Sequence, residues 1–163
     1  MRVYIPATIA MLSELVEAGE LHARSGTGFA LTPALRESYA TGSSEELEYA
    51  ALLEAARASL RLISAEVDGY DRRVVISAEV SEVTPRPDLD NAVVRLAGPV
   101  PITAIAAVHV DSEDAEAAVR AAAKAVDAAD LGDPDAEFTL GDAEDHELAW
   151  YAPQELPFLL ELM

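Results

Sequence analysis

Apolar residues recur along this chain at two spacings, three to four residues and two, and the switches between them divide it into elements. Residues 2–5 read as a short strand. Thr8 then suits an N-cap, Ile9, Leu12, Leu15 and Val16 fall on one helical face, and Gly19 supplies a stop. A loop is expected over 21–27, a second strand over 29–31, and a short helix from Thr32-Pro33, where proline's missing N–H costs nothing.

Ser43-Ser44-Glu45-Glu46 has the form of a capping box, in which the Ser43 hydroxyl takes the Glu46 N–H and the Glu46 carboxylate reaches back. The helix it opens runs to about residue 63, with Leu47, Ala51, Ala55, Ala58 and Leu62 as its apolar stripe. Residues 73–80 alternate, which predicts a strand with one better-buried face. Further strands are expected over 92–96 and 105–110, the latter after a helical turn at 101–104. Ser112 then caps a helix to about residue 128, with a seam of Ala115, Val119, Ala122 and Val126 and a Glu116–Arg120 pair on its wet face. Residues 136–140 and 146–151 read as the two strands of a hairpin, and Pro153 starts a last short helix. Helices and short strands in mixed order argue for an α+β fold. The expectation is a single domain over 1–163, with a mixed or largely antiparallel sheet and helices packed mainly on one face.

Composition narrows the function classes. Of the 163 residues, 30 are Asp or Glu and 11 are Lys or Arg, a formal charge of -19. Such a chain is repelled by phosphate backbones and anionic lipid, so no nucleic acid and no membrane are expected as partners. No basic stretch leads into a long apolar run, and no apolar segment reaches spanning length, which sets the expected location as the cytoplasm. Cysteine is absent, which removes disulfides, thiolate metal sites and cysteine nucleophiles. The charge is uneven: residues 111–147 hold 13 acidic and 2 basic residues. As a functional surface, this stretch, with Asp133 and Asp135 as its test positions, fits a basic protein partner; as a plain surface it is solubilising.

Chemistry-bearing motifs are few. No Gly-x-Ser-x-Gly turn occurs, and Gly26-Thr27-Gly28 lacks the third glycine and following helix of a nucleotide loop. Asp130, Asp133, Asp135 and Glu137 are close in sequence but do not follow the calcium-loop pattern, and strand alternation turns His146 away from Asp145 and Glu147. No metal, cofactor or catalytic residue is therefore assigned. Arg57 and Arg61, one turn apart, suit an anion or an ion-pair ladder with Glu54. His109 reads as a hydrogen-bonded strand histidine. His146, Leu148 and Trp150 share a strand face. There Trp150 is expected to pack in the core against Phe138 and Leu140 across the hairpin, the sharper reading being that His146 and Trp150 mark a pocket mouth.

Five segments, Met1-Arg2-Val3-Tyr4-Ile5-Pro6, Thr32-Pro33-Ala34-Leu35-Arg36, Glu45-Glu46-Leu47-Glu48-Tyr49-Ala50-Ala51, Ala58-Ser59-Leu60-Arg61-Leu62 and Asp145-His146-Glu147-Leu148-Ala149-Trp150-Tyr151, occur in order over nearly the whole chain. As a set they resemble a family of short acidic actinobacterial proteins classed only as a domain of unknown function. The resemblance implies one cytosolic domain and carries no activity. The function expected is that of a non-catalytic binding or regulatory module with an acidic face. The alternative is a small enzyme or ligand-binding domain using His146, Trp150, Tyr4 and an arginine such as Arg57.

Overall fold

The computed structural model describes residues 1–163. In chain order its elements are β1 (Arg2–Ala7), α1 (Ile9–Ala18), β2 (Glu20–Leu21), β3 (Thr27–Ala30), α2 (Pro33–Ser38), α3 (Ser44–Ala65), β4 (Val74–Glu79), β5 (Val83–Pro85), β6 (Val93–Leu96), β7 (Val100–Pro101), β8 (Ile105–Val110), α4 (Glu116–Asp130), α5 (Pro134–Glu144), β9 (Ala149–Tyr151) and α6 (Leu156–Glu161). Seven strands form one sheet in the order β5-β6-β3-β1-β4-β8-β9, and every neighbouring pair is antiparallel. β2 and β7 form a small second sheet. The expected α+β class and largely antiparallel sheet are what the chain adopts.

Local signals set most boundaries. The Thr8 hydroxyl accepts the Met11 N–H, and Gly19, at φ 75°, ends α1 in the left-handed region while its N–H closes on Leu15 O at 2.8 Å. Thr32 caps α2 with proline just inside. At α3 the Ser43 hydroxyl takes the Glu46 N–H at 3.2 Å; the Glu46 carboxylate accepts the Ser43 hydroxyl itself, so the box closes differently from the expected return bond.

Most helical residues lie on one face of the sheet. α3 packs there through Ala51, Ala55 and Ala56 against Tyr4, Phe29, Val75 and Val93, and Leu47 near its start is also buried. Small alanines let the helix approach the strands, and the Ser59 hydroxyl ties them together, donating to Ala7 O at 2.7 Å and accepting the Val74 N–H at 3.0 Å. Farther along α3, Leu60 and Ile63 turn to a separate cluster with Val119, Ala122 and Val126 of α4 and Leu140 of α5. Serving two partners explains why Ala58 and Leu62 of the predicted stripe are only half-buried. The opposite sheet face, with Val3, Ile5, Ile76 and Val108, is closed by α1 and α6. β4 is thus covered on both sides, and the expectation of one better-buried face is corrected: Val74 through Ala78 are all buried, because the strand is central to a filled sandwich.

The largest correction falls on residues 134–144. They are helix α5, not the first strand of a hairpin, and β9 pairs with β8 instead. Asp133 accepts the Asp135 N–H and Pro134 stands just inside the helix, while Ala136, Leu140 and Ala143 at helical spacing bury against α4. Phe138 and Leu140 therefore do not meet Trp150.

Candidate functional site

Alternation along β4, β8 and β9 builds the site. Val75, His109 and Trp150 stand side by side across the three strands, so all three side chains project toward α3. Leu148 packs on the same side, as its spacing from Trp150 requires. Trp150 lies on the outermost strand with no strand beyond it and is 60% exposed. The expected core role of Trp150 is overturned: residues 136–140, its expected hairpin partner, form part of α5, pack against α4 and leave it uncovered.

Between α3 and the segment that follows α5 runs a cleft of about 300 Å³. Tyr49, Leu52, Leu53 and Ala56 of α3 form one wall, Glu144, His146, Glu147 and Leu148 the other, and His109 and Arg73 reach its base. A second cleft, of about 450 Å³, shares Tyr49, Leu53, Ala56, Arg73 and Glu144 with the first. The two therefore make one groove that continues along α3 past Glu54 and Arg57 to Asp145. Tyr49 and Leu53 are exposed on its lip.

Both arginines of the groove are already engaged. Arg73, at the end of β4, forms a buried two-point bridge to Asp111, Nε to Oδ2 and Nη2 to Oδ1, each at 2.8 Å. Its Nη2 also donates to His146 O at 2.9 Å, which fixes the groove's outer wall. Arg57 donates to Asp130 and Glu137, at 3.0 and 2.8 Å from Nη2, and Arg61 donates to both oxygens of Asp130. The expected anion position at Arg57 and Arg61 is thus filled by the protein's own carboxylates, and the expected ladder with Glu54 does not form. The arginine hydrogen bonds, that of Arg61 first, hold Asp130 down to about 2. Glu54 is left unpaired and is pushed up, by partial burial first and then by the Asp90 charge.

The other carboxylates of the rim, Glu144, Asp145 and Glu147, form no ion pair. The expected Glu116–Arg120 pair is also replaced by tertiary partners, since Glu116 binds Arg72 and Arg120 binds Asp71, each at 2.8 Å.

His109 contacts Ser77, with its Nε2 2.9 Å from the hydroxyl. Ser77 is 1% exposed, so the pair satisfies a buried hydroxyl and offers no reachable nucleophile. Burial, and secondly the Arg2 charge, push His109 below its ordinary value of 6.5. A lowered folded value means that the stability owed to neutral His109 is complete above the unfolded value. It is lost as pH falls from about 6.5, because there the unfolded chain takes up a proton that the folded site resists. Urea midpoints measured between about pH 7.5 and about pH 5 should show this loss, and His109→Gln should reduce it. An identical slope in the variant would assign the pH dependence to other groups.

The remaining sequence-derived residues are dispersed. Tyr4 is buried on the same sheet face, where its hydroxyl donates to Glu48 at 3.3 Å; burial first, then Glu48, raises it to about 12. Asp133 and Asp135 start α5, about 16 Å of helix away from Glu144 at its other end. The groove joins His146 to Arg57 and sets Trp150 beside His109 at its edge. Arg73, His109, Tyr49 and Leu53 complete it and were not legible as site residues. The one signal for Arg73 and Asp111 was a charge placed directly beside an apolar strand, which is informative only once β4 and β8 are known to pair.

A family model described as "Family of unknown function (DUF6912)" matches residues 1–160. No curated protein and no solved structure matches the chain.

Proposed function

The chain belongs to this family of unknown function, and from that premise we propose that it is a non-catalytic binding module whose α3–β9 groove receives a basic, partly apolar segment of a protein partner. The observation that carries the reading is the groove's imbalance of charge. Its arginines are neutralised within the fold, whereas Glu54, Glu144, Asp145 and Glu147 around it have no cationic partner. The apolar α3 wall with exposed Tyr49 and Leu53, and exposed Trp150 at the groove's edge, supply contact area. Lysine or arginine side chains on the incoming segment supply the missing charges.

The reading takes residues 1–163 as one domain and a cytosolic setting, since a cysteine-free chain needs no oxidising compartment. Among 13 acidic residues in 111–147, Asp111, Glu116, Asp130 and Glu137 are bound to arginines, and Asp133 and Asp135 are not. Asp133 and Asp135, away from the groove, act as long-range attraction, while Glu144 and Glu147 act in contact.

The test is selection of short random peptides displayed against the protein, followed by titrations read through Trp150 fluorescence. Selected peptides should be net positive, shift the emission to the blue, and bind more weakly as salt rises, because the screening length shrinks from about 10 Å at 0.1 M to about 3 Å at 1 M. Glu144→Lys with Glu147→Lys should speed dissociation, whereas Asp133→Lys with Asp135→Lys should mainly slow association. Failure to select any peptide, or salt-independent binders indifferent to Glu144→Lys and Glu147→Lys, would refute the reading.

A further inference from the structure

The backbone of β9 adds a feature that side chains alone do not show. The Asp111 N–H donates to Arg73 O at 3.1 Å, which makes Arg73 and Asp111 a hydrogen-bonded pair at the end of the β4–β8 ladder. Hydrogen-bonded pairs alternate along an antiparallel ladder. The register then gives the next such pair as Val75 with His109. Across β4 the same alternation is met independently, because the Val80 N–H donates to Met1 O at 3.0 Å, which assigns Ile76 and Ala78 to the β1 side. His109 therefore spends its backbone groups on β4, and Val108 and Val110 turn theirs to Tyr151 and Ala149 of β9. Trp150, between those two, points its N–H and C=O away from the sheet.

One neighbour extends this open edge and the other ends it. The Leu148 N–H, two residues upstream, makes no hydrogen bond. The Ala152 N–H, two residues downstream, is closed by the Glu155 carboxylate at 2.9 Å. The opposite end of the sheet is guarded, since β5 carries Pro85, which has no N–H to offer. β9 has neither proline nor a lysine, and it adjoins the groove.

We infer that the partner segment binds as an eighth strand on β9, hydrogen-bonded to Leu148 and Trp150, with alternate side chains turned into the groove. The inference rests on the groove reading and specifies its occupant: an extended peptide with basic residues among alternating apolar ones. The period of two follows from the strand, and the apolar set meets Trp150, Leu148, Tyr49 and Leu53. The basic residues meet Glu144 and Glu147. A second copy of this chain does not fit that edge as well, since it brings a charge of -19 to a surface already acidic.

The test uses the full chain and the displayed peptides selected as above. Amide hydrogen exchange should slow at Trp150 and Leu148 on peptide binding. Methylating the peptide's backbone nitrogens one at a time should weaken binding roughly tenfold at every second position and little at the others, since each removes about one net hydrogen bond with its desolvated partner. Trp150→Pro removes the outward N–H without touching the β8–β9 bonds and should weaken binding, with Trp150→Ala as the control for loss of the ring. The peptide experiment stands even where Trp150→Pro does not fold. Peptides that require Glu144 and Glu147 but leave Trp150 exchange unchanged, or that tolerate methylation at both parities, would overturn the added strand and leave the groove reading intact. Absence of any binder overturns both.

Discussion

Replacing Arg73 with alanine should destabilise the protein by about 3–5 kcal/mol, the usual consequence of leaving one member of a buried ion pair without its partner. Arg73 is 3% exposed and Asp111 1%. Asp111 accepts three hydrogen bonds from this one residue: the Arg73 backbone N–H, Nε and Nη2, each at 2.8 Å. Without the guanidinium, a carboxylate remains among apolar residues with only the backbone donor. Arg73→Lys restores charge but not the planar two-point fit, so its loss should be intermediate. The same guanidinium holds His146 O, so Arg73→Ala should also loosen the groove wall and weaken binding by peptides that touch Glu147. Urea unfolding curves read the stability. A loss below about 1 kcal/mol would mean that Asp111 finds water or another donor, and that the pair is not the clamp described above.

Leu140→Ala should cost about 2–5 kcal/mol, whereas Phe138→Ala should change stability by no more than about 0.5 kcal/mol. Leu140 is fully buried among Leu60, Val119 and Val126, and Phe138, two residues before it, is 77% exposed. In a hairpin strand the two residues would share a face and respond alike; in a helix they lie on different sides. The ratio of the two effects therefore tests the helix itself. Comparable losses at both positions would restore the strand reading and remove the outer wall of the groove.

Residues 136–140 carry a strand-like pattern that the fold does not use. Ala136, Phe138 and Leu140 alternate with polar residues over a span too short to separate a period of two from a period of 3.6. Asp133-Pro134 ahead of them already had the form of a helix start. The helical alternative wins because α4 offers a seam of alanine and valine into which Ala136, Leu140 and Ala143 fit. That energy comes from a neighbour and is not written in the segment. The Glu116–Arg120 and Glu54–Arg57 expectations failed for a related reason. Spacing along a helix gives a small attraction of about 0.2–0.5 kcal/mol, and an arginine presented with a carboxylate from another element follows the better geometry.

By itself the sequence determined the features whose causes lie within a few residues. Hydroxyls at Thr8, Thr32 and Ser43 stop free N–H groups from going unpaired, Gly19 takes a conformation other residues resist, and alternation over 74–79 and 105–110 forces strands. It also determined that Leu148 and Trp150 share a face, and that the chain carries a large negative charge. Tertiary structure decided which strands are neighbours, and with that everything that depends on distance between remote residues. It buried Arg73 with Asp111, filled the Arg57–Arg61 position with Asp130 and Glu137, and left Trp150 on an open edge beside unpaired carboxylates. Charge and hydrogen-bonding capacity are properties of residues, but whether they are spent or left over is settled only when the fold has brought their partners together.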